Sequence, residues 1–256
     1  MNFMSRKTRI RQIQKNKQNI EAKHRFYAFL TGEELLARLS TTQAGLTWEE
    51  AESRQDEFGE NVITIGNKNT MLHRLREAVI NPFNIILLLI AVITYFTDVA
   101  ASSKPNYLTV IIILSLVFLS SLVAFVQSQR SNAAAEKLSK MISNKADVWR
   151  DGKLTEIPMD EVVPGDIIRL SAGDMLPADV RFLATKDTFV AQAALTGESN
   201  PVEKFSAIPD KQDVGLTDLQ NIGFMGSNIV SGSATAVVLT TGNSTYFGSM
   251  AKSLSG

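Results

Sequence analysis

The sequence predicts an α+β membrane protein with N-terminal helices, a two-helix transmembrane hairpin and a cytoplasmic β-domain of the sandwich or jelly-roll type. Three observations predict this fold class. Two helix-opening Thr-x-x-Glu motifs begin at Thr31 and Thr47. Two apolar runs of about 20 residues follow, each long enough to cross ~30 Å of hydrocarbon. Short apolar strands separated by Gly, Pro and Asp turns then occupy residues 146–250.

The first 29 residues are strongly basic, although the chain of 256 residues has a net charge of zero. We expect residues 1–29 to form a solvated, mobile tail. Binding of residues 6–25 to anionic lipids is the alternative, because each basic side chain near such a surface contributes ~1 kcal/mol. RNA is a less favoured partner, because aromatic residues follow the basic run and do not interleave with it. We therefore expect no nucleic-acid partner.

The chain has no cysteine and only two histidines. The lack of cysteine excludes disulfides, thiolate metal sites and cysteine nucleophiles. His24 and His73 stand beside basic residues with no nearby ligand partners. We therefore expect two solvated histidines and neither a metal site nor a cofactor site in this chain.

The segment 30–77 is predicted to be helical. Each Thr-x-x-Glu motif can cap a helix, which predicts a helical hairpin over residues 31–59 with Gly59 as its stop. The apolar face of this hairpin is narrow, so we expect it to dock on a larger structure. A third helix is predicted over residues 70–79.

Residues 78–97 and 107–126 are the two predicted transmembrane helices. A buried core helix is the alternative for one such run, but two runs joined by a short linker favour a hairpin. Neither run contains an ionisable side chain, so the hairpin alone is a poor candidate for an ion pathway. An amphipathic helical extension is predicted over residues 127–145.

The distribution of basic residues predicts the orientation of the hairpin. Lys and Arg flank both outer ends of the two runs, whereas the linker between them holds only Lys104. By the positive-inside rule, both long flanks are cytoplasmic and the linker lies outside.

Residues 146–250 change to a β-rich pattern. Asp166, Asp174 and Asp179 stand in Gly- or Pro-containing turns, and we expect them to be turn residues and not catalysts. Gly223, Gly226, Gly232 and Gly242 mark further turns. Residues 251–256 are predicted to begin a linker. The predicted strands are 148–150, 154–157, 167–170 and 180–183, with others around 229–230 and 236–239.

The run from Leu195 to Lys204 contains the turn Thr-Gly-Glu-Ser. It presents the carboxylate of Glu198 on a loop that Gly197 keeps free of steric bulk. The neighbouring hydroxyls of Thr196 and Ser199 can orient this carboxylate. Four letters alone are weak evidence, but their position between membrane spans and a β-rich region makes the motif specific.

These motifs, in this order, resemble the first third of a P-type cation ATPase. The resemblance rests on Val163–Ile167, on Pro177–Asp179 and on Leu195–Ser199, and it covers roughly residues 30–256. Three further runs are similar to the bacterial magnesium-transporting branch. They are Asn81–Ile85, Phe189–Ala193 and Phe224–Gly232.

The resemblance implies a function for the β-domain, which would be the actuator domain of such a pump. Glu198 would position and polarise the water that hydrolyses an aspartyl-phosphate, and Thr196, Gly197 and Ser199 would shape its loop. The complete pump would use Mg²⁺ and ATP and would supply the remaining domains as partners. It would be a multi-pass protein of a bacterial plasma membrane, in contact with the lipid bilayer, with its N-terminus and actuator domain in the cytoplasm.

The chain also departs from the family pattern. It contains no Asp-Lys-Thr-Gly phosphorylation motif, no nucleotide-binding domain and no charged transport helices. We therefore expect an amino-terminal fragment or truncated product that cannot be phosphorylated by itself. A membrane-anchored regulatory or binding module without enzymatic activity, or a pump for another cation, is the alternative.

Overall fold

The computed structural model describes residues 18–63, 76, 79–100, 107–141, 144–211 and 214–254. Contacts divide the chain into two compact units, residues 1–66 with 144–256, and residues 67–143. The first contains helices and an antiparallel sheet, and we call it the sheet unit. The second contains apolar helices, and we call it the helical unit.

The predicted N-terminal helices are present in the sheet unit. The Thr31 hydroxyl accepts the N–H of Glu34, whose carboxylate accepts the N–H of Thr31. Thr47 and Glu50 form the same capping box. Gly59 follows the helix Trp48–Phe58 with φ 81°, so the helix ends where the sequence predicted. The helices are α1 (residues 18–28), α2 (Gly32–Arg38) and α3 (Trp48–Phe58).

The described β-domain is one sheet of seven antiparallel strands in the order β2-β1-β3-β7-β4-β5, with β6 paired to β4. This confirms a mixed helix and antiparallel-sheet fold, and the jelly-roll arrangement stays a prediction. The strands are β1 (Lys145–Arg150), β2 (Lys153–Pro158), β3 (Ile167–Ser171), β4 (Asp179–Ala191), β5 (Val202–Glu203), β6 (Ile222–Gly223) and β7 (Asn228–Thr240). Two further helices of this unit are α6 (Ala193–Thr196) and α7 (Tyr246–Leu254).

Both faces of the sheet are buried, because alternate side chains of a strand enter two different apolar clusters. On β7, Val238 belongs to the first cluster and Val237 to the second. The second cluster also contains Tyr27 of α1 and Leu35 and Leu36 of α2. The N-terminal helices therefore cover one face of the sheet, as expected from their narrow apolar face.

Helix α1 corrects the prediction of a tail over residues 1–29. His24 on this helix is fully buried, so the expectation of a solvated histidine was wrong. Its Nε2 lies 2.8 Å from Oδ2 of Asp179. The side chain of Arg25 donates to the carbonyl of Val214 at 2.8 Å. Residues 1–17 and His73 lie outside the described residues, so lipid binding by the basic run stays a prediction.

Asp179 is more than the turn residue that we predicted. Its buried carboxylate accepts the backbone N–H groups of Met225 at 2.9 Å and Tyr246 at 2.6 Å. It therefore connects the start of β4 to α1 and to two distant segments of the same unit. A buried carboxylate requires such partners, because an unpaired charge away from water is costly.

Two other aspartates have different roles. Asp174 accepts the N–H of Ser171 at 2.7 Å, which confirms a turn residue. Asp166 also accepts a nearby N–H, from Val163, but its buried carboxylate forms an ion pair with Arg150 on β1. This ion pair was not predicted from the local pattern.

Strand β7 is longer than predicted. Two short strands were expected around residues 229–230 and 236–239, with Gly232 in a turn. Gly232 instead lies within one strand at φ 79°, where an added Cβ would approach the carbonyl oxygen of Asp187 to 2.1 Å. The pairing of β4 with β7 shifts register after Lys186. The glycine therefore permits a bulge inside a continuous strand.

The helical unit contains α4 (Pro82–Thr94), which continues as a π-helical segment (Tyr95–Ala100), and α5 (Leu108–Met141). The side chain of Asn81 accepts the N–H of Asn84 at 2.7 Å and so caps α4. Asn84 is buried and donates to the hydroxyl of Ser121 on α5 at 2.9 Å. Asn84 therefore joins the two helices of this unit.

Within the described ranges, one helix is long and apolar enough to cross a bilayer, over the 20 residues Leu108–Gln127. It matches the predicted span 107–126. The predicted span 78–97 corresponds to a shorter apolar helix, Pro82–Thr97. The two-span hairpin therefore stays a prediction.

The remaining helical predictions have different outcomes. The extension predicted over residues 127–145 is helical as far as Met141. The third helix predicted over residues 70–79 lies mostly outside the described residues.

Candidate catalytic loop

The Thr-Gly-Glu-Ser turn lies on a loop between two neighbouring strands of the sheet unit. Strand β4 ends at Ala191, and a single helical turn, α6, follows it. The chain returns as β5, where Val202 pairs with Val190 of β4. Glu198 is therefore carried on a short exposed loop whose two ends are held at the sheet.

Gly197 ends α6 in the left-handed conformation, with φ 77°, and its N–H donates to the carbonyl of Ala193 at 2.9 Å. An added Cβ would meet no atom within 4 Å at this position. The space around this position is therefore open among the described residues, and the role of Gly197 in shaping the loop stays a prediction. Glycine is favoured here because its backbone adopts a positive φ without strain.

Thr196 orients the backbone of Glu198. Its hydroxyl donates to the carbonyl of Gln192 at 3.2 Å and accepts the N–H of Glu198 at 3.2 Å. Glu198 and Ser199 are both exposed. In the described part of the chain, the Glu198 carboxylate has no hydrogen bond or ion pair, and the Ser199 hydroxyl does not donate to it. The turn therefore presents a carboxylate that is free to accept a proton or to meet another surface.

Two buried polar side chains stand at the base of this loop, one at each end. Gln192 is 2% exposed, and its Nε2 donates to the carbonyl of Thr217 at 3.3 Å. Lys204 is 1% exposed, and its Nζ donates to the carbonyl of Leu219 at 3.1 Å. Both acceptors belong to one short segment of the same unit.

Burial strongly changes the protonation of Lys204. Desolvation lowers the pKa of its amine from 10.5 to about 7, although the nearby charge of Asp218 acts in the opposite direction. The amine lies 6.0 Å from the ring centroid of Phe224. The loop therefore ends at a lysine whose surroundings disfavour its charged form.

The motif pattern did not single out Gln192 or Lys204. Both fall within runs that were quoted for other reasons, and a lysine beside a two-residue strand gives no local sign of burial. Within the described residues, no group of three or more His, Asp or Glu side chains could hold a metal ion.

Comparisons with known protein families agree with this arrangement. The family model of the P-type ATPase actuator domain matches residues 140–255. The model described as "Cation transporter/ATPase, N-terminus" matches residues 27–94. Together these models cover residues 27–66 and 144–255 of the sheet unit, with its candidate loop, and α4 of the helical unit.

The chain belongs to the P-type cation-transporting ATPase family.

Curated relatives place the similarity within this family. The chain is 39% identical over 230 residues to "Magnesium-transporting ATPase, P-type 1" of Escherichia coli, covering 88% of the chain and 25% of the relative. It is 41% identical over 250 residues to the protein of the same name from Salmonella typhimurium, covering 90% and 27%. The chain thus spans about a quarter of the length of these relatives.

The similarity also extends to pumps for another cation. The chain is 33% identical over 220 residues to "Calcium-transporting ATPase" of Bacillus subtilis, covering 86% of the chain and 24% of the relative. These two magnesium-transporting relatives are thus more similar to this chain than this calcium-transporting relative.

Proposed function

We propose that the chain supplies the actuator domain of an ATP-driven magnesium pump and that Glu198 promotes hydrolysis of the pump's aspartyl-phosphate. The observation that carries this proposal is the exposed Glu198 carboxylate, which has no partner among the described residues. A carboxylate presented in this way can reach the surface of another domain and accept a proton there.

The chemistry of an acyl phosphate suits a single carboxylate. Glu198 would take a proton from a water molecule as the water oxygen attacks phosphorus in line with the bond to the aspartate. That phosphorus–oxygen bond breaks, and the products are inorganic phosphate and a free aspartate carboxylate. Thr196 and Gly197 contribute by fixing the backbone from which Glu198 projects.

Magnesium is the proposed transported ion, because the magnesium-transporting relatives have 39% and 41% identity against 33% for the calcium-transporting relative. The ion-binding helices, the nucleotide site and the phosphorylated aspartate would belong to further parts of the pump. ATP and Mg²⁺ would act there, and no step at Glu198 requires a metal ligand from the described residues.

A position in a bacterial plasma membrane fits the helical unit. Its helices expose large apolar side chains, such as Phe118 at 70% and Ile93 at 63%, which is the composition that lipid favours. The distribution of Lys and Arg in the sequence supports a multi-pass chain with both long flanks in the cytoplasm.

The test is the variant Glu198→Gln in a complete pump that contains this chain. Glutamine keeps the size of the side chain but does not accept the proton. Formation of the aspartyl-phosphate is expected to continue, and its decay is expected to slow by about 10²- to 10⁴-fold. The measurement is the decay of acid-stable radioactive phosphate from the protein.

Glu203→Gln is the matched control, because Glu203 is another exposed carboxylate at the end of the same loop. Its aspartyl-phosphate is expected to decay at the rate of the unmodified pump. Normal decay in Glu198→Gln would show that Glu198 is only a structural residue of its turn.

A further inference from the structure

The loop that carries Glu198 is connected at both ends to one short segment of the chain, residues 216–219. Gln192 precedes α6 and donates to the carbonyl of Thr217, and Lys204 follows β5 and donates to the carbonyl of Leu219. The two donors lie 12 positions apart in sequence, yet their acceptors lie two residues apart. Side chains at both ends of the loop are thus hydrogen-bonded to one short segment.

This segment is itself fixed by the core. Leu216 and Leu219 are 8% and 0% exposed, and both belong to the second apolar cluster. The 3₁₀ turn Leu216–Asp218 holds the intervening backbone. The two carbonyls are therefore presented from a rigid site.

Among the described residues no carboxylate forms an ion pair with the buried Lys204, although the charge of Asp218 lies near it, and this is a costly arrangement for a lysine. A methionine or leucine could fill the same apolar space without this cost. An apolar side chain could not reproduce the hydrogen bond to Leu219, the attraction to Asp218 of the same segment or the contact of the amine with the Phe224 ring. Gln192 is likewise almost fully buried and provides the corresponding bond on the other side.

We infer that Gln192 and Lys204 are positioning residues that clamp the Glu198 loop to residues 216–219 and so fix the direction in which Glu198 projects. The clamp deepens the proposed function and rests on it for its catalytic consequence. Its structural consequence is independent of that function, because the order of the loop is a property of this chain alone. A misplacement of about 1 Å can reduce a rate by ~10²-fold, so a fixed direction matters.

The first experiment measures the order of the loop in the full 256-residue chain in detergent. The chain has no cysteine, so Asn200→Cys gives a single site for a spin label beside Glu198. In this background, Lys204→Met and Gln192→Leu each replace one donor with an apolar side chain of similar size. Each is expected to shorten the rotational correlation time of the label by about twofold, because one end of the loop is released.

Thr188→Val is the matched control. The Thr188 hydroxyl is buried and donates to the carbonyl of Ser233 at 2.7 Å, so the variant also removes a side-chain bond to a carbonyl. The hydroxyl makes no hydrogen bond to residues 216–219, and the variant keeps the backbone carbonyl of Thr188, which accepts the N–H of Lys204 at 2.9 Å, so the label is expected to keep its correlation time. A label unchanged by both Lys204→Met and Gln192→Leu would overturn the clamp. The clamp would also be overturned if Thr188→Val mobilised the label as much as the other two variants, because the loop would then respond to the loss of any buried hydrogen bond.

The second experiment measures the catalytic consequence in the complete pump. Lys204→Met and Gln192→Leu are expected to slow decay of the aspartyl-phosphate by about tenfold, with its formation unchanged. If Glu198→Gln slows decay but these two variants do not, the positioning role fails and the proposed function stands. If Glu198→Gln decays normally while the label is still mobilised, the proposed function fails and the clamp stands as a structural feature. If Lys204→Met does not fold, Gln192→Leu tests the other end of the loop.

Discussion

The protonation of Lys204 predicts that the stability of the sheet unit increases with pH between neutral and alkaline conditions. Lys204 is 1% exposed, and burial lowers the pKa of its amine from 10.5 to about 7. A depressed folded-state pKa means that the unfolded chain binds the proton more tightly. The contribution of the neutral Lys204 to the free energy of unfolding is therefore complete above the pKa of the unfolded state. It is lost as the pH falls towards the pKa of the folded state.

The size of the effect follows from the two pKa values. One pKa unit corresponds to about 1.4 kcal/mol. At about pH 7 the unfolded amine is fully protonated and the folded amine only half protonated, whereas at about pH 9 the folded amine is neutral. Integration across this interval gives an increase of about 2 kcal/mol in the free energy of unfolding.

The assay compares the unmodified chain with Lys204→Met in urea, at about pH 7 and about pH 9. Fluorescence of the two tryptophans, Trp48 and Trp149, reports unfolding of the sheet unit, to which both belong; Trp149 packs against the second apolar cluster. From the lower to the higher pH, the free energy of unfolding is expected to increase by about 2 kcal/mol more in the unmodified chain than in the variant. Tyr27 and other groups that titrate nearby are present in both proteins, so their effects cancel. An equal gain in both proteins would refute the assignment of the pH dependence to Lys204.

Two further predictions concern the buried contacts of Asp166 and Asp179 in the sheet unit. Arg150→Met leaves the buried Asp166 carboxylate without its cation and is expected to lower the free energy of unfolding by about 3–5 kcal/mol. Urea titration measures this loss, and the double variant with Asp166→Asn should recover a large part of it, since no charge is then left unpaired. His24→Ala removes the buried contact with Asp179 and is expected to release α1, so that trypsin cleaves at Lys23 at least about tenfold faster. An unchanged cleavage rate would mean that apolar contacts alone hold α1.

Local sequence signals predicted the local structure. The Thr-x-x-Glu motifs at Thr31 and Thr47 predicted both capping boxes, because each cap involves residues only three positions apart. Asp151-Gly152 predicted the turn between β1 and β2, where both residues have positive φ values of 49° and 74°. The position of Glu198 in an exposed turn could also be predicted, because the turn is formed by its own neighbours.

Strand length could not be predicted in the same way. Gly232 looks like a turn residue in the sequence, and only its pairing partner makes it part of a long strand. That partner, β4, lies about 45 residues earlier in the chain, and its backbone around Asp187 approaches Gly232 too closely for a side chain. Whether a glycine ends a strand or permits a bulge depends on this distant backbone.

The sequence by itself therefore determined the family, the helix starts, most turns and the motif that presents Glu198, because each of these depends on residues close together along the chain. Only the tertiary structure decided which polar side chains are buried. No local pattern in the sequence marks His24, Arg150 or Lys204 for burial, yet each is enclosed by segments from elsewhere in the sheet unit. Burial, and with it the ion pairs and the lowered pKa of Lys204, arises because helices and strands distant in sequence cover both faces of one sheet.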